Sequence, residues 1–211
     1  MTSPSPLGRR ELNKARTHEA IVAALRELVE RMPVEEITVD QVAERAGISR
    51  RTFFNYFGSI PAVLSSAMAD LAAQMLGMID ADALRRDPVT AMRDLVSRGD
   101  IPLDLLGWLA ALTHDGTQTD AGVLLERTVW SDLAAWLEEQ LHPVLASSDP
   151  LYVPTLAAAV MSCFKAAEQA WATQIWIDGA DGALSPTDVA AFHDHLDRAL
   201  GHLAQGWRPT T

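Results

Sequence analysis

A single cysteine in 211 residues, Cys163, excludes an internal disulfide and fits a reducing cytoplasm. It lies in an apolar stretch, where inert packing is expected in place of redox chemistry. Long hydrophobic runs are missing too. Leu151 to Phe164 is the longest candidate, but it holds Pro154 and Ser162 and stops at Lys165, so it reads as a buried core helix and no membrane partner is expected. The first 15 residues carry Ser, Pro, Arg and Lys without the apolar segment of a secretory signal. No nucleophile elbow, phosphate loop, HExxH or paired CxxC is present, so an enzyme is not expected, and neither a cofactor nor a bound metal. The histidine cluster His193-Asp194-His195 sets two imidazoles two residues apart, which point in different directions on a helix and suit a polar face better than a metal. Positive charge is also short: 17 Lys and Arg stand against 28 Asp and Glu, for a net charge of −11.

That acidic balance argues against nucleic acid until the chain is divided. Residues 1–64 hold 9 basic side chains against 8 acidic ones, and the remainder 8 against 20. A near-neutral N-terminal part is thus joined to a strongly acidic body. The asymmetry either turns the first part toward a polyanion or simply keeps the body solvated.

The near-neutral part contains TVDQVAERAGISRRTFFNYF, from Thr38 to Phe57. Thr38 with Gln41 has capping-box spacing, and Val39, Val42, Ala43 and Ala46 recur at helical period. Gly47 suits a backbone that must take positive φ, Ile48 can staple the corner, and Ser49 can cap a second helix. Two short helices at this spacing make a helix-turn-helix, whose second helix lies in a DNA major groove. Arg50, Arg51, Thr52 and Asn55 are expected to meet base edges, while Phe53 and Phe57 turn to the core. A solvent-facing Arg51 or Asn55 is the alternative. Thr38, Ser49 and Ser59 stand at helix starts, where free amides take phosphates.

The block Thr38-Val39, Val42-Ala43, Ala46-Gly47-Ile48-Ser49, Thr52-Phe53-Phe54, Tyr56-Phe57 and Ser59 resembles the DNA-binding domain of the TetR family of bacterial regulators. Thr17, Ile21, Ala24, Leu25, Val29 and Met32-Pro33 fit the helix before it, so the likeness covers about residues 14 to 66. It implies all-helical homodimers, with a three-helix head and a C-terminal domain that binds a small molecule and dimerises. It also implies a phosphate contact from Tyr56. Three positions depart from the pattern: Phe54 where Tyr is usual, Ile60 where a DNA-touching Lys is usual, and Pro61 where an acid is usual.

Period and punctuation lay out the rest. Residues 1–13 read as a flexible basic arm, which could enter a minor groove, residues 14–60 as the helix-turn-helix domain and residues 61–211 as the ligand-binding and dimerisation domain. Helices are expected over Lys14–Arg31, from Ser59 to about Ile79, over Val89–Ser97, Leu103–His114 and Asp120–Leu141. A break is expected at Ala81–Pro88 and turns at Asp115-Gly116 and Gly179–Gly182. Two C-terminal stripes, one through Leu156, Val160, Phe164, Ala167, Trp171 and Ile175 and one through Val189, Phe192, Leu196, Leu200, Leu203 and Trp207, have more apolar face than one small body needs. The resemblance makes Leu156, Val160, Ala167, Phe192, Leu196, Leu200 and Leu203 a dimer interface.

All six Trp lie beyond residue 100. Trp108, Trp130, Met161, Phe164, Trp171 and Trp176 could line an apolar pocket or simply fill a core. The expectation is an all-α, ligand-responsive regulator, a repressor that holds a palindromic double-stranded operator as a homodimer and is released by a small, largely apolar effector. A metal-responsive regulator and a DNA binder without ligand control are the alternatives. Acyl thioesters, drugs and aromatic metabolites all remain open as effectors.

Overall fold

The computed structural model describes the backbone of residues 6–99, 101–112, 119–145, 149–178 and 184–206, and the side chains of these except 6–10 and 175–178. Among the described residues the regular structure is helical, without a strand. α1 (Pro6–Val29), α2 (Val39–Arg45) and α3 (Arg50–Phe54) form the head, with a 3-10 turn at Val34–Glu36. α4 (Ile60–Gly77) leads into a body of α5 (Ala81–Arg86), α6 (Pro88–Ser97), α7 (Leu103–Leu112), α8 (Asp120–Leu141), α9 (Tyr152–Asp178) and α10 (Pro186–Gln205).

Side-chain caps set most of these starts. Thr38 and Gln41 close a capping box, Ser185 and Asp188 close another, and Ser49, Ser59, Asp80, Asp87 and Thr119 each accept an amide from the first turn. Two expectations need correction. Pro6 opens α1 eight residues before Lys14, because proline is preorganised for a helix's first position, so residues 6–13 are helix and not arm. Ala81–Pro88 is not a break: Asp80 caps α5, Asp82 lies in its first turn and Arg85 and Arg86 in its last, each charge complementing the helix dipole. The turns expected at Asp115-Gly116 and Gly179–Gly182, and Trp207, lie outside the described residues.

Two apolar clusters make the core. The larger runs from Ile21, Leu25 and Phe53 in the head through Val63, Leu64 and Met68 of α4 to Leu106, Val129, Trp171 and Phe192. The smaller one gathers Leu84, Met92, Leu137, Leu141, Val153 and Val160 at the other end of the body. α4 belongs to both head and body, packing on α1, α7 and α8. It alone among the described helices has the length and apolarity of a membrane span, and 44% of it is already buried in the protein. Polar links reinforce the join: Arg26 of α1 pairs with Asp104 of α7 at 3.0 Å and lies over the Trp108 ring at 5.2 Å. Ser65 of α4 donates to Asp132 of α8 at 2.9 Å.

The residues expected at a dimer interface are mostly consumed inside the single chain. Val160, Ala167, Phe192, Leu196 and Leu200 are buried, and Leu156 and Leu203 are half-buried against the smaller cluster. Periodicity finds an apolar stripe but not its partner, and here α9 and α10 use theirs on each other and on α6 and α8. Arg93 of α6 grips Asp197 of α10 through two bonds, at 2.7 and 3.0 Å, which holds that carboxyl below its ordinary range.

Candidate functional site

α3 is positioned by what lies on its inner side. Gly47 turns the chain at φ +67, a conformation that costs an L side chain roughly 1–2 kcal/mol. Ser49 then stands extended and its Oγ accepts the Thr52 amide at 3.0 Å. Phe53 is fully buried and Phe57 nearly so, their rings 6.2 Å apart, so the short helix cannot rotate without exposing them. That leaves Arg50, Arg51 and Asn55 exposed on one surface, with Thr52 half-buried beside them.

The four expected base-contacting residues differ in their commitments. Arg50 Nη1 donates to both oxygens of Asp40 at 2.9 and 3.0 Å, and its guanidinium lies over the Phe54 ring at 5.6 Å. Arg51 is exposed and makes no ion pair among the described residues. The Thr52 hydroxyl shares a hydrogen bond with Ser49 Oγ at 2.8 Å. Asn55 is the residue that ends α3. Of the expected phosphate contacts, Thr38, Ser49 and Ser59 use their hydroxyl oxygens as caps on the amides of Gln41, Thr52 and Ala62. The other first-turn amides stay open to an anion. Tyr56 is half-buried beside the head core. Ile60 is 8% exposed: its apolar side chain turns into the head core where a lysine would reach outward.

The body holds a cavity of about 90 Å³ where the two apolar clusters meet. Its walls come from Met68 and Met75 of α4, Leu95 of α6, Leu109 of α7, Trp130 and Trp136 of α8, and Val160, Met161 and Phe164 of α9. Of the residues read as a possible pocket, Trp130, Met161 and Phe164 line this cavity. Trp108 and Trp171 do not: Trp108 is buried beneath Arg26, and Trp171 packs edge-on against Phe192 while its indole N–H donates to the Asp188 carbonyl at 2.7 Å. The side chain of Trp176 lies outside the described set. Trp136, which the sequence reading did not single out, also lines the cavity.

Sequence reasoning also passed over two acids. Glu126 of α8 and Glu168 of α9 sit on the apolar faces of their helices, 8% and 0% exposed. Burial and the neighbouring Glu126 push the Glu168 carboxyl up to about 8, against which Lys165 acts only in part. The signal was legible: Glu168 lies between Phe164 and Trp171 at helical spacing, and Glu126 four residues before Trp130. His193 is half-buried and burial lowers its pKa from the usual imidazole value, whereas His195 bonds Arg198 on its own helix. Among the described residues no three His, Cys, Asp or Glu side chains gather as metal ligands.

Residues 21–67 match the family model described as bacterial regulatory proteins, tetR family. The transcriptional regulator EthR of Mycobacterium tuberculosis is 42% identical over 74 residues, 32% of this chain and 34% of EthR. The uncharacterised regulator YdeS of Bacillus subtilis is 31% identical over 96 residues, 43% of this chain and 48% of YdeS. The chain thus spans between a third and a half of these relatives. A crystal structure of Thermus thermophilus FadR, a TetR-family transcriptional repressor in complex with lauroyl-CoA, superimposes with a TM-score of 0.50 at 21% identity, over 92% of this chain and 96% of that one. At that identity the likeness speaks for the fold alone. The head is a TetR-family DNA-binding domain, and the helical body shares the architecture of a TetR-family protein.

Proposed function

We propose that this chain is a TetR-family transcription regulator that binds an inverted-repeat operator as a homodimer and responds to a small, largely apolar molecule in the body cavity. The observation that carries the DNA reading is α3, where Phe53 and Phe57 fix a helix whose outer side offers Arg50, Arg51 and Asn55. One such helix covers only a few base pairs, so two heads on half-sites about 34 Å apart are needed for specificity. Arg51 is ready to meet a base edge, and Arg50 must first exchange Asp40 for its target. The open amides at the starts of α2, α3 and α4, with Tyr56, take the phosphates.

The dimer face is the outer side of α9. Thr155, Ala158, Ser162, Ala166, Ala170 and Thr173 are exposed there at helical spacing without a charge. The three hydroxyls donate to carbonyls one turn back, so none needs water. Small side chains let two copies of the helix approach closely. Regulation follows from the place of the cavity. A guest larger than about 90 Å³ must part α4 from α8 and α9, and α4 carries the head. Repression is the simplest output, because occupancy alone blocks polymerase.

Selection from random duplex DNA tests the reading. An inverted repeat should emerge, with Arg51→Ala losing roughly 1–3 kcal/mol of sequence preference. Ala166→Arg should yield folded monomers in sedimentation and abolish operator binding. Recovery of no enriched sequence, or binding indifferent to Arg51, would sink the proposal.

A further inference from the structure

We propose that the cavity is the apolar half of a site whose other half is the buried pair Glu126 and Glu168, and that its ligand joins an apolar body to a protonated amine. This rests on reading the cavity as the effector site. Phe164 and Trp130 line the cavity, and Glu168 and Glu126 each stand one helical turn beyond them, on the same faces of α9 and α8. Both acids therefore lie one helical turn beyond wall residues, behind a cavity wall that is itself apolar. Neither oxygen of the fully buried Glu168 has a hydrogen-bond partner, and the Trp130 indole N–H, on a side chain that lines the cavity, has none either. Buried polar groups are ordinarily paired, and orphaned ones on two adjoining helices mark a place built for an occupant.

The charge pattern selects the occupant's chemistry. Lys165 pairs with Glu126 at 3.2 Å, so two carboxyl groups share one cation. On α10, burial disfavours the charged form of His193, and Arg198 is engaged by Asp194 and His195 of its own helix, so neither offers a cation to the two acids. Once Glu168 is ionised, one positive charge is wanting. An alkylammonium supplies it, keeps its chain in the cavity, and can set its cation beside the electron-rich face of Trp130. Because the Glu168 carboxyl titrates near 8, it is mainly protonated at neutral pH. Ammonium plus carboxylic acid then gives an ammonium–carboxylate pair and one released proton. A carboxamide gains no such pair, and a carboxylate is repelled.

The test uses the full chain and three probes of equal length: n-hexylammonium, hexanamide and hexanoate. Binding is followed by tryptophan fluorescence, and by calorimetry near pH 7 in two buffers of different protonation enthalpy. Hexylammonium should bind at least about tenfold more tightly than hexanamide, with release of close to one proton. Glu168→Gln should erase both the preference and the proton release. Glu126→Gln, which frees Lys165 to pair with Glu168, should do the same and serves if the first variant melts early. Met161→Trp, which fills the cavity, should abolish binding of all three. Tighter binding of hexanamide or hexanoate, still lost in Met161→Trp, overturns the acidic end but leaves the effector cavity standing. Binding of none, or binding that ignores Met161→Trp, overturns the cavity reading and this proposal with it.

Discussion

Glu168 should make the stability of this protein fall as pH rises. In the unfolded chain its carboxyl ionises near 4.5, and in the fold burial raises it to about 8. The folded state therefore keeps a proton that the unfolded state has lost across that window. Stability is full below 4.5, declines by about 1.4 kcal/mol per pH unit through the window, and levels off beyond the folded value. From 4.5 to neutrality the loss is roughly 3 kcal/mol, a large share of a typical 5–15 kcal/mol. Glu168→Gln keeps the shape and cannot ionise, so the difference between wild type and variant isolates this one group. Urea unfolding of both proteins at about half-unit steps from pH 5 to 8.5 measures it. The wild type should lose stability against the variant at close to the stated slope, whatever constant offset the buried amide adds. Parallel lines would refute the reasoning: they would mean that Glu168 is ionised in the fold, with Lys165 as its partner in place of Glu126.

Three further outcomes follow from the head and its attachment. Asp40→Ala releases Arg50, whose ion pair is mostly exposed; stability should change by less than about 1 kcal/mol. The slope of log affinity against log salt for duplex DNA should steepen by about one unit, and an unchanged slope would show that Asp40 does not restrain Arg50. Gly47→Val forces a β-branched residue to φ +67 and should cost roughly 2 kcal/mol or more in urea unfolding, although no atom lies near enough to clash. Arg26→Ala removes both the Asp104 pair and the contact over Trp108. It should cost about 1 kcal/mol and lower the melting temperature by roughly 2–4 °C, with a change in Trp108 emission.

Much of the head was legible because its signals are local. Thr38 with Gln41, Gly47 and Ser49 each act within four residues, and each does in the fold what its chemistry implies. α8 likewise has the bounds that Asp120 and Leu141 suggest. Where reading failed, a competing rule decided. Proline at residue 6 marked a loop in the sequence but starts a helix in the fold, and the charges of Asp82, Arg85 and Arg86 hid a short helix inside an apparent break. The stripes of α9 and α10 were real, yet nothing local says whether Phe192 meets Trp171 of the same chain or a second copy. For the pocket the difficulty was similar. Trp130, Met161 and Phe164 line it while Trp108 and Trp171 do not, because helix crossing points, not residue type, decide which apolar side chains border a gap.

α4 acts as a lever. At 1.5 Å per residue it measures about 22 Å from Ile60 to Met75, with one end packed in the head and the other forming the cavity wall. Displacing the Met75 end by about 2 Å would swing the helix by roughly 5°, and the two swings in a dimer would add or cancel according to the twofold axis. Induction on such a device depends on the girth of the guest and not on its affinity. A compound that binds tightly but fits within the existing walls would occupy the site, leave both heads on the operator, and shield the regulator from its true inducer.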